Sequence, residues 1–146
     1  MLSLCGCSKK ESSGEQTLSC SLTTAYGNTY EYGAIGTASK ISYVFYRLRA
    51  HQVDFNLIGE DEVAKLETLR TYFETDYAGF SDLDLSLDGE FVIIYIGYKA
   101  SVFGGEVASN LFGSRIAELN LEKNGLQTLQ ELFQEEISAS LKCSTQ

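Results

Sequence analysis

The sequence predicts an α+β fold, an antiparallel sheet of about four to five strands with about three helices packed on one face. Three observations carry this. The first third of the chain is dominated by alternating, strand-type segments, an amphipathic helix with an acidic start follows Glu60, and an Asp88-Gly89 hairpin signal is succeeded by two more helical stretches. The 146 residues amount to about one domain. The sequence reads as a signal remnant and flexible tether over 1–15 and a single α+β domain over 16–146.

From Thr17 to about Ala25, Leu18, Cys20 and Leu22 alternate with Thr17, Ser19, Ser21 and Thr23, the pattern of a half-buried strand. Tyr26-Gly27-Asn28 reads as a turn, and a second extended stretch runs through Tyr30 and Tyr32 to the loop or bulge marked by Gly33 and Gly36. A third β-rich run, from Ile41 to Ile58, begins with Tyr43 and Phe45 in phase and ends with Val53, Phe55 and Leu57 alternating. Between Arg47 and Gln52 the alternation weakens, which predicts a bend, bulge or hairpin turn. Glu60, Asp61 and Glu62 place negative charge where the free N–H groups of a helix favour it. Val63, Leu66, Leu69, Phe73 and Tyr77 then recur at helical spacing up to Gly79. Leu83, Leu85 and Leu87 alternate with Asp82, Asp84 and Ser86, and Phe91 to Tyr98 is nearly all apolar, as in a central strand. A helix from roughly Glu106 to Leu119 and a last one carrying Leu129, Phe133, Ile137 and Leu141 complete the order.

Charge and composition limit the function. Twenty acidic against eleven basic residues give a net charge of −9, which opposes approach to a polyanion. Lys40, Arg47 and Arg49 form the only plausible basic cluster, with acidic neighbours, so nucleic acid is not an expected partner. No apolar run approaches the ~18 residues of a membrane-spanning helix. Proline and tryptophan are absent, and nine tyrosines and eight phenylalanines supply the aromatic mass.

The chain opens Met1-Leu2-Ser3-Leu4-Cys5-Gly6-Cys7 and turns polar through Ser8 to Glu15. Leu4-Cys5-Gly6-Cys7 resembles a lipobox, with an apolar residue at −3 and a small residue at −1 before the cysteine that is acylated. Cys5 fits less well, because bulky Leu4 would stand at its −1 position. A secretory signal needs a basic region and an apolar stretch of about 7 to 15 residues, so Met1 is expected to lie inside a longer precursor. Two acyl chains on Cys7 suffice for a stable membrane anchor, at about 0.8 kcal/mol per buried CH₂. The competing readings are an accidental match in a cytoplasmic protein and a thiolate metal site on Cys5 and Cys7. The latter lacks partners at metal-ligand spacing.

Cys20 lies near the start of the folded region and Cys143 near its end, so the two would tie the first strand to the C-terminal helix. In an exported protein their natural state is a disulfide tying the two, and in a reducing compartment two free thiols.

The lipobox-like start, the cysteine in the first strand, the β-rich half, the central helix, the hairpin and the cysteine near the end together resemble the small YehR-like bacterial lipoproteins of unknown function. The likeness is architectural and covers most of the chain. It implies an anchored α+β domain and carries over no catalytic residue.

Asp82-x-Asp84-x-Ser86-x-Asp88-Gly89 resembles the start of an EF-hand calcium loop, but the twelfth position from Asp84 is Tyr95 rather than a bidentate glutamate, and the interleaved leucines make it a strand. His51 is the only histidine, and the pairs Asp61-Glu62 and Glu135-Glu136 fall on expected helix surfaces. No catalytic residue, metal site or cofactor is therefore assigned. The expectation is a lipid-anchored extracytoplasmic domain that binds a protein, a cell-wall component or a small ligand. The alternative is an extracytoplasmic enzyme or divalent-cation binder using the acidic strand face at Asp82 and Asp84.

Overall fold

The computed structural model describes residues 14–57, 61–76 and 79–146. Cys5 and Cys7 lie outside them, as do Ile58, Glu60 and Tyr77. The described residues form an α+β fold with six strands: β1 Gln16–Thr23, β2 Thr29–Gly36, β3 Ile41–His51, β4 Asp82–Asp88, β5 Phe91–Lys99 and β6 Lys142–Thr145. They make one sheet in the order β4-β5-β3-β2-β1-β6, every neighbouring pair antiparallel. The helices are α1 Glu62–Asp76, α2 Gly105–Phe112, α3 Ser114–Ala117 and α4 Leu126–Glu136, with 3₁₀ turns at Gln52–Phe55 and Leu121–Lys123.

The strand and helix counts both exceed the sequence expectation. The sixth strand is the tetrapeptide Lys142-Cys143-Ser144-Thr145, which pairs with Leu18 to Ser21 at the edge of the sheet. Cys143 thus belongs to a strand, not a helix. The last helix ends at Glu136, and Leu141, assigned by periodicity to its apolar face, is buried in the turn that leads into β6. The helix expected from Glu106 to Leu119 is two, because Gly113 at φ 94° interrupts the helical backbone between them.

The third strand departs most from its expected reading. β3 runs unbroken through Arg47 to His51, and Val53, Phe55 and Leu57 do not continue it. Gln52 to Phe55 instead make a 3₁₀ turn that closes with Asn56 at φ 57°. The phase of the strand is also reversed. Ile35 pairs with Tyr43 but Gly36 with Ile41, so a bulge inserts one residue at the start of β3. Ile41, Val44, Tyr46, Leu48 and Ala50 therefore face the core, and Tyr43 and Phe45 face away from it.

All the described helices cover one side of the sheet. Leu18, Cys20, Tyr32, Val44, Tyr46, Ile94, Ile96 and Tyr98 from the strands form one cluster with Leu69 and Phe73 of α1, Phe112, Ile116, and Leu129 and Phe133 of α4. Asp61 caps α1, its Oδ1 accepting the Ala64 N–H at 2.9 Å. On that helix Leu69 and Phe73 are buried while Val63, expected on the apolar face, is 75% exposed, since it starts the helix before the chain reaches the core. Between β4 and β5 the loop is Gly89-Glu90, with Gly89 at φ 61° meeting the positive φ that a two-residue hairpin demands.

Cys20 and Cys143 stand directly opposite each other, sulfurs at the disulfide distance of 2.09 Å and Cα atoms 4.0 Å apart. The ladder explains the closeness. Thr17 and Gln146 exchange both backbone hydrogen bonds, so three positions along, Cys20 and Cys143 occupy a non-hydrogen-bonded pair, where the two strands' side chains approach most closely.

Candidate functional site

The face of the sheet that none of the described helices covers is built by the strand alternation itself. In register, Ser19, Gly33, Phe45, Gly97 and Asp82 form one row across the sheet, and Lys142, Ser21, Glu31, Arg47, Tyr95 and Asp84 form the next. Arg49, Ile93 and Ser86 make a third row, and His51, Phe91 and Asp88 a fourth. The outward residues divide into stripes along the strands: hydroxyls on β1, arginines on β3, apolar and aromatic side chains on β5, carboxylates on β4.

Two glycines set this surface. Phe45 is only 6% exposed although it lies outside the core cluster, because its ring lies over Gly33, where a Cβ would overlap it. Tyr43 likewise reaches across Gly97. From there its hydroxyl donates to Asp82 Oδ2 at 2.7 Å and accepts from the Tyr95 hydroxyl at 3.3 Å. The Phe45 and Tyr95 rings stack at 5.7 Å, with the Arg47 guanidinium 5.2 Å from the Tyr95 ring, and Arg49 lies 3.7 Å above Phe91. Arg47 also pairs with Glu31 at 2.6 Å and Arg49 with Asp88 at 3.3 Å. Such half-exposed pairs contribute little stability individually, but together they hold both guanidinium groups over the rings.

Burial, reinforced by the bonds to Tyr95 and Asp82, holds the Tyr43 phenol well above the usual tyrosine range, and burial, with Tyr30 beside it, raises that of Tyr32. Raised folded-state values mean that this contribution to stability is intact below tyrosine's ordinary value and is lost as pH rises past it. In an alkaline titration followed by tyrosinate absorbance, these two of the nine tyrosines are expected to ionise only together with unfolding. Nine smooth, independent titrations in a still-folded protein would contradict this packing.

The remaining sequence candidates are dispersed. Asp82, Asp84 and Asp88 do share the outward side of β4, yet Asp82 serves Tyr43 and Asp88 serves Arg49. Asp84 has no hydrogen-bond or ion-pair partner among the described residues, and among those residues no three His, Cys, Asp or Glu side chains gather as a metal site. His51 is wedged between the rings of Tyr26 and Phe91, centroids 4.4 and 4.5 Å away. Its Nε2 lies 2.9 Å from the Tyr26 carbonyl, which can only accept, so that nitrogen carries the proton, and its Nδ1 is 3.6 Å from Glu90. Asn28 joins this corner by accepting from the His51 N–H and donating to Asp54. Glu135 and Glu136 both hold Arg115, at 3.1 and 2.9 Å. Lys40 stands in the loop before β3, apart from Arg47 and Arg49. The aromatic-arginine surface was missed from the sequence, although the alternation Tyr43-x-Phe45-x-Arg47-x-Arg49-x-His51 spells one of its stripes.

No family model matches this chain, and no curated protein matches it. One solved structure, described as the NMR structure of a protein from Streptococcus pneumoniae TIGR4, is similar with a TM-score of 0.57 and 12% identity over 99% of this chain and 93% of that one. At that identity the likeness shows the fold alone. No helix among the described residues is long and apolar enough to cross a membrane.

Proposed function

We propose that this chain is a non-enzymatic interaction domain, anchored outside the cytoplasm through lipid on Cys7, that docks a protein on the uncovered face of its sheet. The preset array of Tyr43, Arg47, Arg49, Phe91 and Tyr95, backed by the buried ring of Phe45, carries the reading. Aromatic residues and arginine are the types enriched at protein interfaces and their hot spots, and here stacking and hydrogen bonds already fix them, so docking costs little side-chain entropy. The shape favours a protein over a small ligand. The depression bounded by Thr29, Glu31, Arg47, Arg49 and Ile93 has a volume of about 180 Å³, below the ~300 Å³ at which small-molecule pockets begin. The cysteine pair at disulfide distance supports an oxidising compartment, and the lipobox-like Leu4-Cys5-Gly6-Cys7 supports the anchor.

A photo-crosslinking amino acid placed at Ile93, on this face, and separately at Val63, on the exposed start of α1, tests the docking surface on intact cells of the native host. Adducts are expected from position 93 and not from position 63. Equal labelling, or none at position 93, would remove the face from the account.

A further inference from the structure

One row of the uncovered face places opposite charges symmetrically about β5. β5 contributes Phe91, Ile93 and Tyr95. On one side of it lies β3 with Arg47 and Arg49, on the other β4 with Asp82, Asp84 and Asp88. The register is tighter than a general match of sign, since Arg47 and Asp84 are both paired to the same residue, Tyr95. They sit at equal height on opposite sides of β5, each about 4.8 Å from it by the spacing of strands.

From this we infer that the occupant of the face is a second copy of this chain, bound face to face about a two-fold axis running parallel to β5. Rotation about that axis exchanges the two sides of β5 and keeps height unchanged. It lays Tyr95 and Ile93 against the partner's Tyr95 and Ile93, and Arg47 over the partner's Asp84, twice by symmetry. Asp84 is the acid of its stripe without a partner among the described residues, and Arg47 spends one guanidinium nitrogen on Glu31, leaving other N–H donors for a second carboxylate. Stacked sheets twist relative to each other by about 30°, but the divergence is small one strand from the axis. The three strands that then face their counterparts, β3, β5 and β4, span roughly 15 by 25 Å, which puts the pair at the small, transient end of interfaces. This inference rests on the docking role proposed for the face. It also fits the anchor, because an axis parallel to the strands brings both copies' Gln16 ends to the same end of the dimer.

The test uses full-length protein with Cys7→Ala, so that no lipid contributes, and measures self-association by sedimentation equilibrium. Wild type is expected to dimerise, more weakly as salt is raised. Arg47→Asp and Asp84→Arg each place like charges together twice and should weaken association at least ~10-fold. Mixed with each other, the two variants should associate as wild type does, since every facing pair is then opposite in charge. Misfolding of either variant could not produce that rescue. A monomeric wild type, or single variants that dimerise unchanged, would overturn the inference. So would position-93 adducts on cells that contain another protein and never this chain, an outcome that leaves the docking face itself in place.

Discussion

Protein carrying Cys143→Ser, unfolded in urea without reductant, is expected to be less stable than wild type by on the order of 4 to 5 kcal/mol, discounted for any strain in the native bond. The pair spans a sequence separation of 123, so a bond there removes much of the freedom of the unfolded chain. In the folded protein β6 is four residues long and largely exposed, with one neighbouring strand. Wild type with its disulfide reduced should fall to a similar stability. Oxidised wild type and the variant unfolding at the same urea concentration would show that the two cysteines are not bonded in solution. That result would also withdraw the support the pair lends to an oxidising compartment.

Phe133→Ala should be nearly as damaging, at about 3 to 5 kcal/mol, because it removes a large side chain from a site that cannot collapse. Phe133 is fully buried on α4, its ring 5.8 Å from Tyr32 on the sheet and 6.4 Å from Phe112 on α2. It joins three elements, and a cavity there is lined by other aromatic rings. Urea unfolding at constant m-value measures the loss directly. A cost below about 1 kcal/mol would mean that the helical layer packs on the sheet less tightly than the structure has it.

Much of the scaffold could be read from residue patterns, and where the reading failed the cause is local. The Asp88-Gly89 hairpin and the apolar β5 each carry a strong turn or composition signal, whereas the helix at Glu62–Asp76 is placed by its acidic start and a narrow apolar stripe of which Leu69 and Phe73 are buried. β6 carries none, since Lys142-Cys143-Ser144-Thr145 is polar and short, and only tertiary pairing with β1 makes it a strand. The bulge between Ile41 and Tyr43 shifts the strand by one residue and flips all that follows, so a fixed alternation assigns Tyr43 and Phe45 to the wrong side. The candidate site was hidden by the same flip. Aromatic residues ordinarily mark a core, and only Gly33 and Gly97, on the strands to either side of β3, give Phe45 and Tyr43 a place to lie on the outer face. Asp82 and Asp84 were legible as an acidic strand face. The bond from Tyr43 to Asp82, and the register of Asp84 with Arg47 through Tyr95, required the sheet order.

The docking role is built on a chain held outside the cytoplasm, and radiolabelled palmitate tests that most directly. Wild type and Cys7→Ala, each expressed in the native host from the full upstream reading frame, are compared for incorporation into the protein. The account predicts label in wild type and none in the variant. Label in neither, or equal label in both, would contradict the anchor on Cys7 and with it the extracytoplasmic role.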